Sequence, residues 1–396
     1  MKIVHVSIYP PKEESNLRLG GVALFTKKLI RGIPYAETDR VYVLCDKVNG
    51  RREEYFEEGI KIIRCFDTNL LFVFQLWREL KKIKPAVVHI QQELNLYGGV
   101  INAYLLQWLV LLLRSSRVLL TLHGVVSFKL IDKNFVRENN SNQPIFLVKW
   151  AFYLIYKPLC LFARKIIVHE NIFKQILTKD YGIKESKIKV IHLIVENLIP
   201  LTQIAARRKL GVSAEKNVVL FMGYLTGYKG LDLLLEGFAE YAKVDPQAFL
   251  IITAGKHPKL SSDKDYLKEY RRLEDKAKSL IVAKQYCWDG FVAEKEIINY
   301  YSAGDVSIYP YTIQMSSSGP MALAIGYGKP FLASEVFANL VDCPAMLFKR
   351  DKESFKTALV NFFKDKNQFY NQIIKLKRDR LPMEVGRLTL QEYQSN

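Results

Sequence analysis

The sequence predicts an α/β protein of two doubly wound domains. Short apolar runs alternate along its whole length with longer segments of helical period, the pattern of strands joined by crossover helices. The runs are apolar on both faces, as strands of a covered parallel sheet must be. At 396 residues the chain also exceeds what one hydrophobic core usually serves.

In the first half the candidate strands are residues 2–8, 41–45, 60–65, 86–90, 118–122, 166–168 and 189–191. The second half repeats the pattern at 218–222, 249–254, 307–309, 330–333 and 345–348. A boundary is expected at 196–202, where ENLIPLT follows VIHLIV and precedes a new helix. This gives an N-terminal domain over 1–196, a C-terminal domain over 197–383 and a closing helix over 384–396. Open sheets of this kind bind ligands at the carboxyl ends of their strands, so an interdomain cleft lined by the turns after strands is the expected place for chemistry.

Lys and Arg outnumber Asp and Glu by 58 to 40, a net charge of +18, which points to anionic lipid, phosphorylated substrates or nucleic acid. No helix-turn-helix, RNP-like motif or zinc spacing accompanies the charge, so nucleic acid is not an expected partner. The five cysteines are scattered with no CxxC pair, which excludes a disulfide framework and a structural zinc site and suggests a reducing, cytoplasmic setting. MKIVHVSIYP reads as a first strand, not a signal peptide.

Four turns after strands carry candidate chemistry. The loop of residues 10–24 holds Gly20 and Gly21 ahead of a helix, where backbone N–H groups and helix dipole favour an anion. His123 closes LLTLH, placed to bond a phosphate or a sugar hydroxyl or to exchange a proton. In GYLTGYKGLD, Gly223 and Tyr224 follow a strand and Lys229 stands just before a helix, a mobile cation beside fixed amide dipoles. In SSSGP, Ser316, Ser317, Ser318 and Gly319 precede Pro320, a residue favoured in the first helical turn, so hydroxyls and free N–H groups converge there. Such groups cradle a phosphate without a metal, and no metal or other cofactor is expected. The plainer readings are a flexible loop, a locally bonded histidine, a surface lysine and a simple serine cap.

Taken in order, GGVALFTKKL, VVHIQQE, LTLHG, FMGYLTGYKGLDLLLEGF, WDGFVAEKEIINYYSAGDVSIYPY and SSSGPMALAIGYGKPFLAS resemble the GT-B glycosyltransferases, similar to the retaining family 4. The resemblance covers nearly the whole chain. It implies a nucleoside-diphosphate sugar, UDP- or GDP-linked, on the C-terminal domain and an acceptor on the N-terminal one, where Glu93 is the candidate. By the same resemblance, Lys229 and Gly21 meet the diphosphate, His123 stands near the transferring sugar, and the Phe291-Val292 turn reads the nucleobase. The pattern departs from the family at Met315 and Leu323, which stand where members commonly carry two glutamates, and it lacks the arginine often found ahead of the lysine. The implied reaction is metal-independent hexosyl transfer with retention. Its alternatives are a non-catalytic donor-binding partner of another transferase, or a GT-B epimerase or phosphorylase.

Residues 143–169 interleave aromatics with Lys149, Lys157, Arg164 and Lys165 and contain no acid. This composition suits either plain core packing or a helix lying on an anionic membrane surface, the inner face of the membrane for a cytoplasmic enzyme with a lipid-linked or glycan acceptor. The uncharged stretch 95–113 reads as a buried helix.

Overall fold

The computed structural model describes residues 1–12, 21–113, 115–138, 143–257, 260–314, 318–341 and 343–395. The chain forms two compact units. Unit 1 gathers Met1–Ile194 and Pro382–Asn396, and unit 2 gathers Val195–Gln314 and Ser318–Leu381.

In unit 1 the strands are β1 (Lys2–Val6), β2 (Arg40–Asp46), β3 (Glu53–Glu57), β4 (Ile60–Phe66), β5 (Val87–Gln92), β6 (Arg117–Leu122), β7 (Lys165–Val168) and β8 (Ile188–Val190). Its helices are α1 (Gly21–Gly32), α2 (Phe72–Ile83), α3 (Val100–Leu112), α4 (Lys133–Glu138), α5 (Ile145–Phe162) and α6 (Asn171–Lys179). The sheet order β3-β4-β2-β1-β5-β6-β7-β8 changes direction beside β1, so the loops after β1, β5 and β6 open at one edge. All pairings are parallel except the β3–β4 hairpin, which turns through Glu58 and Gly59, both at positive φ.

Unit 2 contains α7 (Gln203–Lys209), β9 (Asn217–Tyr224), α8 (Leu231–Ala242), β10 (Ala248–Gly255), α9 (Lys264–Leu280), β11 (Tyr286–Trp288), α10 (Ile297–Ala303), β12 (Val306–Tyr309), α11 (Gly319–Gly326), β13 (Phe331–Ser334), β14 (Leu347–Phe348), α12 (Lys352–Lys364) and α13 (Asn367–Arg378). The parallel sheet runs β11-β10-β9-β12-β13-β14, with its switch point beside β9. A buried charge cluster ties its elements together. Asp305 accepts from Arg207 at 2.8 Å, Lys366 at 2.9 Å and the Val218 amide at 2.8 Å.

The apolar runs became strands because their side chains fill the cores on both faces of each sheet. The edge strands β3 and β11 are not announced by the sequence. EEYFE is largely polar, and YCW is only three residues long.

One expectation is corrected. Residues 95–113 do not form a fully buried helix. α3 buries Ala103, Leu106, Leu109 and Val110, but leaves Val100, Ile101, Tyr104, Trp108 and Leu112 exposed, because α2 and α5 pack on its flanks and nothing among the described residues covers its outer face. Within the basic aromatic segment 143–169, a helix is followed by the strand expected at 166–168. α5 stops at Phe162, and residues 165–168 enter the sheet as β7.

The last helix, α14 (Pro382–Gln394), belongs to unit 1 and crosses α1 with backbone against backbone. A Cβ on Gly386 would lie 2.0 Å from the Gly32 carbonyl oxygen, and one on Gly32 would lie 2.2 Å from the Pro382 oxygen. Only glycine at both positions permits this approach. Val385 and Tyr393 then complete a core cluster with Ile3, Phe25, Leu29 and Ile167. We predict that Gly386→Ala destabilises unit 1 by about 1–3 kcal/mol and exposes α14 to protease, measured as a lower melting temperature and faster loss of the C-terminal segment.

Candidate functional site

In unit 2 the site grows from the end of β9. Gly223 has φ 138°, a value side chains rarely adopt, and a Cβ there would lie 2.5 Å from Lys229 Nζ. Glycine therefore serves twice, for the backbone turn and for room beside the lysine. A short 3₁₀ turn, Gly227–Lys229, leads to Gly230 in the left-handed region at φ 69° and so into α8. A Cβ on Gly230 would strike the Pro310 carbonyl oxygen at 2.0 Å, so this turn is pressed against the chain leaving β12. The Thr312 amide donates to Tyr228 O at 2.7 Å and closes the contact.

Lys229 emerges 7% exposed, and among the described residues no hydrogen bond or ion pair reaches its ammonium. Burial alone lowers its pKa to about 8. A desolvated cation with no counter-charge is a prepared anion site.

The N-terminus of α11 flanks the same glycine, with Pro320 Cγ 3.4 Å from where a Gly223 Cβ would sit. Ser318 caps this helix as expected, its hydroxyl accepting from the Met321 amide at 3.4 Å and meeting Tyr311 OH at 3.3 Å. Tyr301 and Tyr309 donate to the Pro320 carbonyl at 2.6 and 2.8 Å, which fixes where the helix starts. Gly319 is open, with nothing within 4 Å of a Cβ. Ser316 and Ser317, with Met315, lie outside the described residues. Just before them, buried Gln314 has both amide atoms without a hydrogen-bond partner among the described residues. Leu323 lies within α11, partly packed on the unit 2 core.

A third element of this region is aromatic. Phe291 is 62% exposed and stacks with Tyr224 at 6.1 Å and 16°, while His257 meets Tyr224 edge-on. Val292 turns inward against the core. Unit 2 thus brings Gly223, Tyr224, Lys229, Ser318, Gly319 and Phe291 to the carboxyl edge of its sheet.

In unit 1, α1 begins at Gly21, and Gly20 lies outside the described residues. Glu93 is exposed one residue beyond β5, and His123 one residue beyond β6, at the same edge. Phe25, one turn into α1, meets the His123 ring edge-on at 4.9 Å. The imidazole is not free. Nδ1 lies 3.2 Å from His169 Nε2, and Nε2 lies 2.9 Å from the Gln91 amide head. Burial holds its pKa well below the usual value.

Two residues here were invisible as site residues in the sequence. His169 sits directly behind His123 and contacts its ring. Arg64, 1% exposed within β4, donates to the carbonyls of Tyr9 at 3.3 Å, Pro10 at 2.5 Å and Asp46 at 3.0 Å. It braces the chain leaving β1. An arginine inside an apolar strand, IIRCF, was the available signal.

Comparison with known proteins follows the same division. Residues 19–196 match the family described as Glycosyltransferase Family 4, and residues 202–380 the one described as Glycosyl transferases group 1. The mannosylfructose-phosphate synthase of Agrobacterium fabrum is 30% identical over 141 residues, 34% of this chain and 29% of that protein. The chain spans about a third of the length of the curated relatives it matches. Among solved structures, Anabaena HepE in complex with UDP superposes with a TM-score of 0.69 at 15% identity, over 100% of both chains. The sucrose-phosphate synthase of Thermosynechococcus elongatus gives 0.66 at 17% identity, over 99% of this chain and 96% of that one. These likenesses show the GT-B fold.

The lowered pKa of Lys229 makes a signed prediction. The folded state binds the proton more weakly than the unfolded state, so the charge is a cost at pH 7 that fades as pH rises from about 8 toward 10.5. Lys229→Met should therefore stabilise unit 2 by up to about 3 kcal/mol at pH 7 and by much less at pH 10, read from urea unfolding at both values.

Proposed function

From the premise that the two halves of this chain belong to glycosyltransferase families, Family 4 and group 1, we propose that it transfers a hexosyl group from a nucleoside-diphosphate sugar to an acceptor hydroxyl with retention of configuration. The observation that carries the reading is Lys229, a buried ammonium with no partner among the described residues, beside the amide-rich N-terminus of α11. A diphosphate supplies the charge this ammonium lacks, and the α11 amides and the Ser318 hydroxyl supply fixed donors. As the glycosidic bond breaks, negative charge builds on the leaving diphosphate, and these groups hold it without a metal.

Exposed Phe291, stacked on Tyr224, offers a ring face to the nucleobase. UDP-glucose is the first donor to test, because the HepE structures hold UDP and UDP-glucose. On the acceptor side we assign Glu93 to a hydroxyl, through its carboxylate at the end of β5.

A membrane surface belongs to the same reading. Exposed Leu70, Leu71 and Phe74 at α2, Ile101, Tyr104 and Trp108 of α3, and Phe146, Trp150 and Tyr153 of α5 stand on three helices that pack side by side. Leu70, Leu71, Phe74, Trp77 and Trp108 line an apolar hollow of about 410 Å³ between α2 and α3. Lys81 lies 4.3 Å over the Trp77 ring, and Lys149 and Lys157 border the aromatics of α5. Such a face suits an anionic bilayer seen from the cytoplasm and a lipid-linked glycan acceptor.

With UDP-glucose, GDP-mannose and the free diphosphates, one donor should raise the melting temperature, and Lys229→Ala should weaken it roughly ten- to hundred-fold, the worth of a charged hydrogen bond. Turnover of no nucleotide sugar, with or without acceptor, defeats the reading. The protein should also sediment with phosphatidylglycerol vesicles, and Trp108→Glu with Trp150→Glu should abolish this; full recovery of the wild type in the supernatant refutes the membrane reading.

A further inference from the structure

Five of the six histidines lie in unit 1, and four of them are linked in a chain along its carboxyl edge, two of them through Gln91. His169 Nδ1 lies 3.0 Å from the Ile191 carbonyl, and its Nε2 lies 3.2 Å from His123 Nδ1. His192 Nδ1 contacts the His169 carbonyl at 3.1 Å. Gln91 spans the two rings, its Oε1 2.9 Å from His123 Nε2 and its Nε2 3.4 Å from His89 Nε2. His89 continues the chain through Nδ1 to Tyr393 OH of α14, at 2.6 Å, and through Nε2 to Thr121 Oγ1, at 2.7 Å.

Donor and acceptor rules fix the protons in this chain. A carbonyl oxygen only accepts, so His169 carries hydrogen on Nδ1. Fully buried and beside His192, which disfavours a second proton, His169 has a pKa near 4 and is neutral at pH 7. Its Nε2 is therefore bare, and the hydrogen bond to His123 needs its proton on His123 Nδ1. What Nε2 of His123 carries then follows the Gln91 amide. With the oxygen toward the ring, Nε2 holds a proton too and the imidazole is a cation. With the amide turned over, its nitrogen toward the ring, an exchange of two nearly indistinguishable atoms, Nε2 is a bare acceptor. In the second arrangement His89 Nε2–H donates to the amide oxygen and Tyr393 O–H donates to His89 Nδ1, so every contact pairs a donor with an acceptor.

We propose that His169 is a positioning residue that keeps the His123 proton on Nδ1 in every charge state, excluding the Nε2–H neutral tautomer. Neutral His123 then offers Nε2 only as an acceptor, which the Gln91 N–H meets in the free protein and which a hydroxyl donor, but not a phosphate oxygen, can take over. This role in transfer rests on the proposed function, but the tautomer itself does not.

The test uses full-length protein labelled with ¹⁵N-histidine, with the His123 signal assigned by its loss in His123→Asn. Two-bond ¹H–¹⁵N spectra at pH 7 should show a protonated Nδ1 on His123. In His169→Leu the proton should move to Nε2, toward Gln91. In His169→Gln, whose amide oxygen restores an acceptor, it should stay on Nδ1. With a donor that turns over, kcat should fall roughly ten-fold in the leucine variant and recover in the glutamine variant, as when a histidine loses the group fixing its tautomer, while the donor KM stays unchanged. A bare Nδ1 on wild-type His123, or a tautomer indifferent to His169→Leu, overturns the proposal. The wild-type spectrum decides even if the leucine variant does not fold. It decides equally in a protein that turns over no donor, because the Nδ1 proton is read without any reaction.

Discussion

A cation held out of water, with no anion beside it among the described residues, is the constraint around which unit 2 is arranged. Lys229 is kept in place by two glycines with no freedom to change, Gly223 beside the ammonium and Gly230 against Pro310. The Asp305 cluster, by contrast, gives its buried charges full partners and so only ties the fold together. The two treatments of buried charge within one unit separate structure from function. A buried charge left unpaired among the described residues marks a candidate ligand site, which is how the proposed function uses Lys229.

Much of this was legible in the sequence because parallel α/β sheets write their strands as short apolar runs and place ligand turns just after them. The turns at His123, Gly223–Lys229 and Ser318–Gly319 could be found by that rule alone. What stayed hidden depends on the third dimension. The burial of Lys229 comes from the walls of its turn, and nothing in TGYKG announces it. His169 reads as the end of a strand until its ring is found against His123, 46 positions away. Arg64 reads as an interruption of an apolar strand until its guanidinium meets the carbonyls of Tyr9 and Pro10.

The outer helices teach the opposite lesson. α3 is so apolar that composition alone assigns it to the core, yet its exposed aromatics and aliphatics continue the outward faces of α2 and α5. Amphipathic period failed as a guide because this helix has two apolar faces, one turned to the sheet and one to the surroundings. In the membrane reading proposed above, part of the +18 charge excess falls to the lysines bordering these aromatics, which suit anionic headgroups.

The crossing of α14 over α1 has a consequence for how the molecule is made. The core of unit 1 is closed by Val385 and Tyr393, but the ribosome must synthesise residues 195–381 before it reaches them. At ordinary elongation rates that is roughly 10–40 s. Throughout this interval the nascent first unit presents an unfilled slot along α1, while unit 2 emerges as one nearly unbroken segment. Unit 2 can finish folding first although it is translated second. Until α14 arrives, unit 1 carries both that open slot and its apolar outer helices.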